Sequence, residues 1–388
     1  MANQIYYVGY FDTKENEEEK RGYVLAATNK MAYIASAIRD TGREVEILSA
    51  SNTQLSRYFK KKEVALSEGI RLKLFSTFCG PTCLHRVLGR TFIRIQLFTK
   101  LLMLPKESKV IVYHSLGYQK TISFVRKMKR LHMIIEVEEL YGDVMENDKI
   151  TSKEEKFFKI ADGYIFPTQL LDEKINTDHK SSVIIHGTYQ VEPEQICRNE
   201  YCKMHGWDES RIHVVYAGTL DPRKGGAVAA AAAAEFLSDK YHLHILGFGS
   251  SREISNMKEL IAKISEKTAC RITYDGLLAG DEYLQFIQSC DIGLSTQNPD
   301  AAFNSTSFPS KILSYMSNGL RVVSIRIQAI QESSIGPYMY YYDCQTPEEI
   351  AQAIMKVNFS DSYDSREVIR KLDRRFRQDI YKLLRDSR

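Results

Sequence analysis

Short apolar strands alternate with longer helices along almost the whole of this chain. In the first half, the strand-like segments are Gln4–Tyr10, Glu44–Leu48, Lys109–Tyr113, Met133–Val137, Gly163–Phe166 and Ser182–Ile185. Helical periodicity separates them, most clearly over Tyr23–Thr41, Tyr118–Leu131 and Ser152–Ala161. Strands that alternate with helices of about ten residues or more are typical of parallel sheets covered by helices on both faces. The first half therefore predicts a doubly wound α/β domain.

The same rhythm starts again after a polar connector at Glu192–Ser210. Here the predicted strands are Ile212–Tyr216, Leu243–Leu246, Arg271–Tyr274, Ile292–Ser295 and Val322–Ile325. The predicted helices lie near Ala227–Leu237, Glu253–Glu266, Asp281–Ser289 and Pro309–Ser317. Two such sets predict two doubly wound, Rossmann-like α/β domains that face a cleft. We place the N-terminal domain at 1–190, the linker at 191–210, the C-terminal domain at 211–358, and a final helix that docks back on the N-terminal domain at 359–388.

Composition narrows the possible partners and compartments. The chain has 388 residues, which is enough for two cores, and a net charge of only +4, which argues against a nucleic-acid partner. Its 7 cysteines are scattered and lack the paired spacing of a zinc site, so we expect no metal, and free thiols fit a cytoplasmic location. The start of the sequence does not resemble a signal peptide, and no apolar run reaches the length of about 18 residues typical of a transmembrane helix.

Glycines and basic residues recur at three places where a predicted strand or loop leads into a helix. They are Gly218 with Arg223 and Lys224, Gly247 with Gly249, and Ser310 with Lys311. Free backbone N–H groups, the positive end of a helix and a basic side chain together bind phosphate. Each loop alone also fits an ordinary turn at a helix start, and Arg223 and Lys224 alone also fit a solvated turn. Three such loops after strands of one half are more specific, and they predict a nucleotide diphosphate as ligand.

With these loops, the C-terminal half resembles the group 1 glycosyltransferases, the retaining family 4 enzymes of GT-B fold. Its matching segments are Gly218–Gly225, Gly247–Ser250, Cys290–Ser295, and Phe308–Gly319 followed by Val322 and Val323. In the N-terminal half, Ala161–Thr168 and Ile184–Thr188 look like the family's segments before the hinge. The resemblance implies transfer of a sugar, with retention, from a UDP- or GDP-sugar to a polysaccharide or lipid-linked oligosaccharide of the bacterial surface. It implies no metal or other cofactor.

The resemblance also implies roles for individual residues of the C-terminal half. Arg223 and Lys224 match the basic pair that grips the diphosphate and stabilises it as the leaving group. Ser310 and Lys311 would hold the same phosphates, and the donor would approach the backbone at Gly218, Thr219, Gly247 and Gly249. Two departures concern donor affinity. Thr306 and Ser314 stand where the family usually has an acidic pair that binds the ribose, and Thr219 stands where it often has a second arginine.

The N-terminal half offers candidate residues for the acceptor side. Glu136, Glu138 and Glu139 lie at the end of a predicted strand, and Glu138 and Glu139 are our candidates to orient an acceptor hydroxyl or to serve as a base. A solvated acidic loop is the alternative interpretation. His114 and His186 also follow predicted strands and are further acceptor-side candidates, although a lone histidine is more often structural.

A basic segment at residues 69–106 predicts contact with an anionic membrane surface. It contains no Asp or Glu, and Arg86, Arg90 and Arg94 fall on one helical face. Its apolar residues are Val87, Leu88, Phe92, Ile95, Leu101, Leu102 and Leu104. Such a segment binds the headgroup region of an anionic leaflet, so we expect a protein peripheral to the inner face of the cell membrane. An ordinary surface helix is the alternative.

Two other functions remain compatible with the sequence. The missing acidic pair fits a catalytically weak accessory subunit of another transferase. A sugar-nucleotide epimerase with the same fold would release free sugar instead of transferring it.

Overall fold

The computed structural model describes residues 4–222, 226–297, 307–360 and 362–386. The chain divides into two compact units. The first unit comprises Met1–Thr188 and Arg375–Arg388, and the second comprises Tyr189–Arg374. The division therefore falls inside the last helix of the chain.

The first unit is built on an eight-stranded sheet in the order β10-β9-β8-β7-β1-β2-β5-β4. Its pairings are parallel except for β4, which pairs antiparallel with β5 at one edge. A short antiparallel pair, β3 with β6, lies apart from it. The strands are β1 (Gln4–Gly9), β2 (Glu44–Ser49), β3 (Tyr58–Phe59), β4 (Lys62–Ser67), β5 (Ile70–Leu74), β6 (Thr77–Phe78), β7 (Lys109–Tyr113), β8 (His132–Glu136), β9 (Gly163–Phe166) and β10 (Ser182–Ile184).

Amphipathic helices supply the rest of the first core. Met31, Ile34, Ala35 and Ile38 of the first helix are buried, as its predicted apolar face requires. The helices are α1 (Leu25–Arg39), α2 (Cys83–Met103), α3 (Gln119–Met128), α4 (Tyr141–Val144), α5 (Asp148–Phe158) and α6 (Gln169–Ile175).

The second unit is built on a six-stranded sheet in the order β13-β12-β11-β14-β15-β16, in which every pairing is parallel. Its strands are β11 (Ile212–Thr219), β12 (Tyr241–Phe248), β13 (Arg271–Gly276), β14 (Ile292–Ser295), β15 (Arg321–Ile325) and β16 (Met339–Tyr342). Its helices are α7 (Arg198–His205), α8 (Ala227–Ala232), α9 (Ser251–Ser265), α10 (Gly280–Gln288), α11 (Ser310–Ser317), α12 (Gln328–Gln331), α13 (Pro347–Met355) and the start of α14 (Ser365–Asp386).

The predicted fold class, α/β with two parallel-sheet domains, is confirmed. Each sheet reverses its strand order at a central strand. In the first sheet β1 lies between β2 and β7, and in the second β11 lies between β12 and β14. In open α/β sheets, ligands bind where the order reverses, beyond the carboxyl ends of the strands. These two places are therefore where the site residues are to be sought.

Two local predictions need correction. The helix expected over Ala227–Leu237 tightens into a 3₁₀ turn at Ala233–Phe236, and its alanines 230, 231, 233 and 234 are buried. The basic segment at residues 69–106 is not one amphipathic helix. It begins with β5, passes through β6 and continues as the long helix α2.

Candidate functional site

The carboxyl ends of β11 and β12 approach each other unusually closely. Gly218 pairs with Gly247 in the parallel register, and a Cβ atom on Gly247 would lie 1.8 Å from the Gly218 carbonyl oxygen. A Cβ atom on Gly249 would lie 3.1 Å from the Cβ of Leu220. Glycine is therefore required at Gly247, and these strand ends present bare backbone, as a phosphate-binding edge needs.

The predicted loop with Gly247 and Gly249 also leads into a helix. Ser250 caps α9, since its Oγ accepts a hydrogen bond from the Glu253 N–H at 3.3 Å, and a Glu253 carboxylate oxygen accepts one from the Ser250 N–H at 2.6 Å. This reciprocal capping box accounts for the sequence Gly249–Glu253 as a helix start. Because Ser250 is occupied as the helix cap, a nucleotide-sugar would contact this loop at Gly247 and Gly249.

Lys311 lies directly beside these strand ends. A Cβ atom on Gly218 would come within 3.1 Å of its Nζ atom, and that Nζ lies 4.2 Å from the centre of the Tyr216 ring. Burial lowers the pKa of Lys311 to about 8. Within the part of the chain that the structure describes, no carboxylate pairs with Lys311, so its charge is balanced only by the ring face. A half-buried cation near the start of α11 is an arrangement that an anion would stabilise.

Three tyrosines that the sequence analysis did not single out hold these strand ends in place. The Tyr216 hydroxyl donates to the Thr219 carbonyl at 2.9 Å, and the Tyr274 hydroxyl donates to the Gly247 carbonyl at 3.0 Å. The Tyr315 hydroxyl accepts from the Ala217 N–H at 2.8 Å. No motif spacing links the three positions, because parallel strand pairing and helix packing bring them together.

The remaining donor-side candidates differ in their exposure and contacts, and some lie outside the described residues. Thr219 is half-buried at the end of β11, where its Oγ1 accepts from the Asp221 N–H at 3.1 Å. Ser310 is the exposed first residue of α11, and the Ser314 hydroxyl lies 3.3 Å from the Tyr283 hydroxyl. Arg223, Lys224 and Thr306 lie outside the described residues.

The acidic residues form a partly buried cluster in the first unit. Glu136 is 0% exposed at the end of β8 and is hydrogen-bonded to the Tyr7 hydroxyl, and burial, with the charge of Glu138, raises its pKa to about 8. Glu138 forms an ion pair with Lys30 at 2.5 Å, and the same Nζ donates to the Ile185 carbonyl at 3.0 Å. At neutral pH the cluster therefore holds a largely protonated Glu136 beside the ion pair of Glu138 with Lys30.

Glu139 is half-buried next to this pair. Burial, followed by the charge of Glu138, raises its pKa. Carboxyl groups whose pKa burial raises can handle a proton or orient a hydroxyl, and such groups are frequent at functional sites.

Both candidate histidines are buried within the first unit. His114 is 2% exposed, with its Nε2 3.4 Å from a Glu154 carboxylate oxygen and its ring centre 4.9 Å from that of Phe158. His186 has its Nδ1 2.6 Å from the Pro167 carbonyl oxygen. Burial lowers the pKa of each to about 4, so both rings are neutral at physiological pH. His114 packs among the aromatic rings behind the acidic cluster.

Three other histidines could together hold a metal ion. His213, His242 and His244 are buried, and one ligand atom from each lies within 4.8 Å of the others. They come from the amino-terminal halves of β11 and β12, away from the glycine-rich strand ends. Their contacts with one another and with Trp207 and Asp275 also explain them as packed core: His213 Nδ1 lies 3.0 Å from His244 Nε2, and His244 Nδ1 lies 3.2 Å from an Asp275 oxygen.

The basic segment differs from its prediction in both charge and burial. Acids from neighbouring strands neutralise part of it, since Lys73 pairs with Glu63 at 2.7 Å and Lys100 pairs with Glu46 at 3.0 Å. Leu101 and Leu104 belong to the core and cannot face a membrane. The large apolar side chains that α2 does expose are Leu84, Val87, Leu88, Ile95 and Met103. Among the described residues, none of the helices has the length and apolar character that a membrane span needs.

Comparison with known proteins gives one family and several structural relatives. Residues 211–358 match the family model "Glycosyl transferases group 1". No curated protein matches the sequence of this chain.

The fold is shared with solved glycosyltransferase structures. Anabaena HepE in complex with UDP has a TM-score of 0.67 and 12% identity, with 99% of this chain and 100% of that chain covered. The sucrose-phosphate synthase of Thermosynechococcus elongatus has a TM-score of 0.63 and 12% identity, with coverage of 98% and 95%. A trehalose-phosphate synthase from Burkholderia xenovorans, in complex with glucose-6-phosphate, has a TM-score of 0.60 and 11% identity, with coverage of 99% and 96%. At these identities the likeness concerns the fold.

The strand ends around Gly218 and Gly247, with Lys311 beside them, all lie inside the stretch that the family model matches. The second unit thus carries a domain that matches the group 1 glycosyltransferases, and the two parallel-sheet units share the GT-B fold of solved glycosyltransferases.

Proposed function

We propose that the protein transfers a sugar from a nucleotide-sugar, UDP- or GDP-linked, to an acceptor hydroxyl with retention of configuration. The observation that carries this proposal is the half-buried Lys311 against the bare backbone of Gly218, inside the matched domain and with no carboxylate partner among the described residues. The HepE relative, whose structure holds UDP, favours a uridine donor. No metal or other cofactor takes part.

In this proposal the second unit binds the donor diphosphate. Lys311 and the amides near Ser310 neutralise it from the α11 side, and Arg223 and Lys224 supply further positive charge. As the bond from the anomeric carbon to the diphosphate oxygen breaks, negative charge grows on that oxygen, and fixed cations stabilise it most effectively then. A new bond to the acceptor oxygen forms on the same face of the sugar, and the acceptor hydroxyl passes its proton to the departing diphosphate oxygen.

The first unit is proposed to bind the acceptor. In this proposal Glu138, held by Lys30, and Glu139 accept a hydrogen bond from the attacking hydroxyl. Glu136, protonated at neutral pH, can donate one. His114 and His186 are positioning residues here, since both are buried and neutral.

For the acceptor itself, the resemblance favours a glycan or lipid-linked oligosaccharide of the bacterial surface. We also propose a cytoplasmic protein that sits peripherally on an anionic membrane. The exposed apolar side chains of α2, next to its exposed arginines Arg86, Arg90 and Arg94, support this location.

A noncatalytic accessory role is the second candidate. Its specific support is the hydroxyl residue Ser314, which contacts Tyr283 where the family usually has an acid for the ribose. Such a subunit would bind a nucleotide-sugar weakly and turn nothing over.

The test is incubation of the purified protein with a panel of UDP- and GDP-sugars, with and without lipid-linked and soluble acceptors. We expect sugar transfer, with turnover reduced about 10²-fold or more by Arg223→Ala and by Lys224→Ala. Lys203→Ala, which removes an exposed lysine of α7 in the same unit, is the matched control. Binding without turnover would favour the accessory role, and free sugar without transfer would favour an epimerase-like enzyme. Wild-type rates in both loop variants would exclude the proposed donor site.

A further inference from the structure

The first unit contains an open pocket of about 540 Å³ that none of the candidate donor or acceptor residues lines. It lies beyond the carboxyl ends of β1, β2 and β7, where the order of the first sheet reverses. Its wall includes Tyr10 and Tyr118, with ring centres 5.2 Å apart, and the buried side chains of Ile93 and Leu97 from α2. This is the crevice in which an open α/β sheet usually binds its ligand.

Three arginines of α2 line the same pocket. Arg86, Arg90 and Arg94 are spaced by four residues, so they follow one flank of the helix beside its buried residues Ile93 and Leu97. None of the three has an ion-pair or hydrogen-bonding partner among the described residues, and no Asp or Glu lines the pocket. Three like charges at this spacing repel one another, so an anion between them would be stabilising.

The packing of α2 fixes where these arginines stand. A Cβ atom on Gly89 would lie 2.2 Å from the Phe78 carbonyl oxygen, so the helix rests directly on the backbone of β6. Two turns further along α2, the Gln96 side chain donates to the Ser76 carbonyl at 2.8 Å and fixes that part of the helix as well. The helix backbone that carries the three arginines is therefore held in place. This favours binding of a phosphate by the paired N–H donors of a guanidinium group.

We propose that this pocket binds a phosphate or diphosphate group carried by the sugar acceptor. Arg86, Arg90 and Arg94 hold the phosphoryl oxygens, while Tyr10, Asn52 and Gln54, which also line the pocket, face the sugar. The identification of the ligand as the sugar acceptor rests on the proposed function, but the phosphate site itself does not. The phosphoryl group could belong to a soluble sugar phosphate or to a lipid-linked diphosphate, which share this chemistry.

Calorimetric titration of the full chain tests the site directly. The probes are glucose 6-phosphate, glucose, and inorganic pyrophosphate, and a second arm measures sedimentation with phosphatidylcholine vesicles that carry a long-chain prenyl diphosphate. We expect at least one phosphorylated probe to bind about tenfold or more tightly than its unphosphorylated counterpart, which is glucose or the plain vesicle. Arg90→Gln, at the centre of the row, should weaken that binding by about tenfold or more, and Arg86→Gln and Arg94→Gln should do the same to a smaller extent.

The control is Arg130→Gln, which removes an exposed arginine of the first unit outside the pocket and should change binding by less than about twofold. Circular dichroism and thermal melts show whether each variant is folded. Binding of glucose 6-phosphate identifies a soluble acceptor, and binding of the prenyl diphosphate alone identifies a lipid-linked one. The inference is overturned if no phosphorylated probe is preferred, or if folded arginine variants bind as the wild type does.

UDP binding, measured on the same samples, separates this inference from the proposed function. If UDP binds and sugar is transferred but the arginine variants act like wild type, the pocket inference fails and the transferase proposal stands. If a phosphorylated probe binds through the arginines but no nucleotide-sugar is turned over, the proposed function fails and the phosphate site stands.

Discussion

At the scale of single residues, burial of the charged side chain of Lys311, a proposed donor-binding residue, opposes stability. Burial lowers its pKa to about 8, so the folded state disfavours the charged amine relative to the unfolded chain. The cost is largest below pH 8, where the amine is charged in both states. Between pH 8 and its ordinary value of 10.5 the unfolded state binds more protons, so stability rises with pH across that window.

We therefore predict that Lys311→Met stabilises the free protein at neutral pH while it removes donor binding. Methionine keeps most of the side-chain volume and removes the buried charge, so the free energy of unfolding should rise by roughly 1–3 kcal/mol. Urea denaturation at about pH 7 and pH 10 measures this gain, which should shrink at the higher pH. UDP titration of the same variant should show about tenfold or greater weakening. A destabilised variant that still binds UDP would mean that Lys311 is a structural residue.

At the scale of elements, β11 and β12 carry a buried histidine cluster that should make the second unit sensitive to acid. Burial lowers the pKa of His213 to about 4 and that of His242 to about 2. Their folded-state values lie below the ordinary value of 6.5, so the neutral form is favoured by folding and the stability is fully present above pH 6.5. It is lost as the pH falls from there towards the folded values.

The expected slope is about 1.4 kcal/mol per pH unit for each such histidine between about pH 6 and 4.5. His242→Phe should reduce the slope by about 1.4 kcal/mol per pH unit, the contribution of one proton, because phenylalanine does not titrate. His205→Gln, on the exposed surface of α7 in the same unit, is the control and should leave the slope unchanged. Urea unfolding across this pH range measures it. An unchanged slope in His242→Phe would show that the cluster is not the acid-sensitive element.

The helix α2 presents a second prediction at this scale. Its exposed apolar residues, such as Leu88 and Ile95, should insert into the headgroup region of an anionic bilayer. The double variant Leu88→Gln with Ile95→Gln should therefore lose vesicle binding but keep binding of phosphorylated probes, since neither residue lines the pocket.

Sedimentation with anionic and neutral vesicles at low and high salt measures this, because the Debye length falls from about 10 Å at 0.1 M to about 3 Å at 1 M. Phe124→Gln, at an exposed apolar residue of α3, is the matched control. If the double variant still sediments with anionic vesicles, α2 is an ordinary covering helix.

At the scale of the whole molecule, the two units should respond separately to their ligands. UDP should protect backbone amides within Tyr189–Arg374, and a phosphorylated acceptor should protect those within Met1–Thr188. A ligand at about a hundred times its dissociation constant adds about 2.7 kcal/mol to the stability of the unit that binds it. Hydrogen exchange with mass spectrometry resolves the two responses. Protection by UDP confined to the first unit would contradict the proposed assignment of the donor site.

The local sequence determined most of the strands and helices of this protein and the position of its glycine-rich strand ends. The alternation of apolar strands with amphipathic helices gave both sheets, and β7, β9 and β14 begin and end where the pattern placed them. The edge strand β4 was missed because its residues alternate between half-buried and exposed positions and form no apolar run. Glycines after strands marked the edge that we propose binds phosphate, because only a residue without a Cβ atom fits where Gly247 meets the Gly218 carbonyl.

Only the tertiary structure decided which groups meet across the chain. Lys30 pairs with Glu138 and Tyr7 contacts Glu136 through strand order, which side-chain periodicity does not encode. The same holds for Arg86, Arg90 and Arg94. Their spacing predicted one helical face, but it is the packing of α2 on β6 that makes this face line a pocket. Local patterns report which side of an element is buried, whereas the partners on that side depend on contacts between segments far apart in sequence.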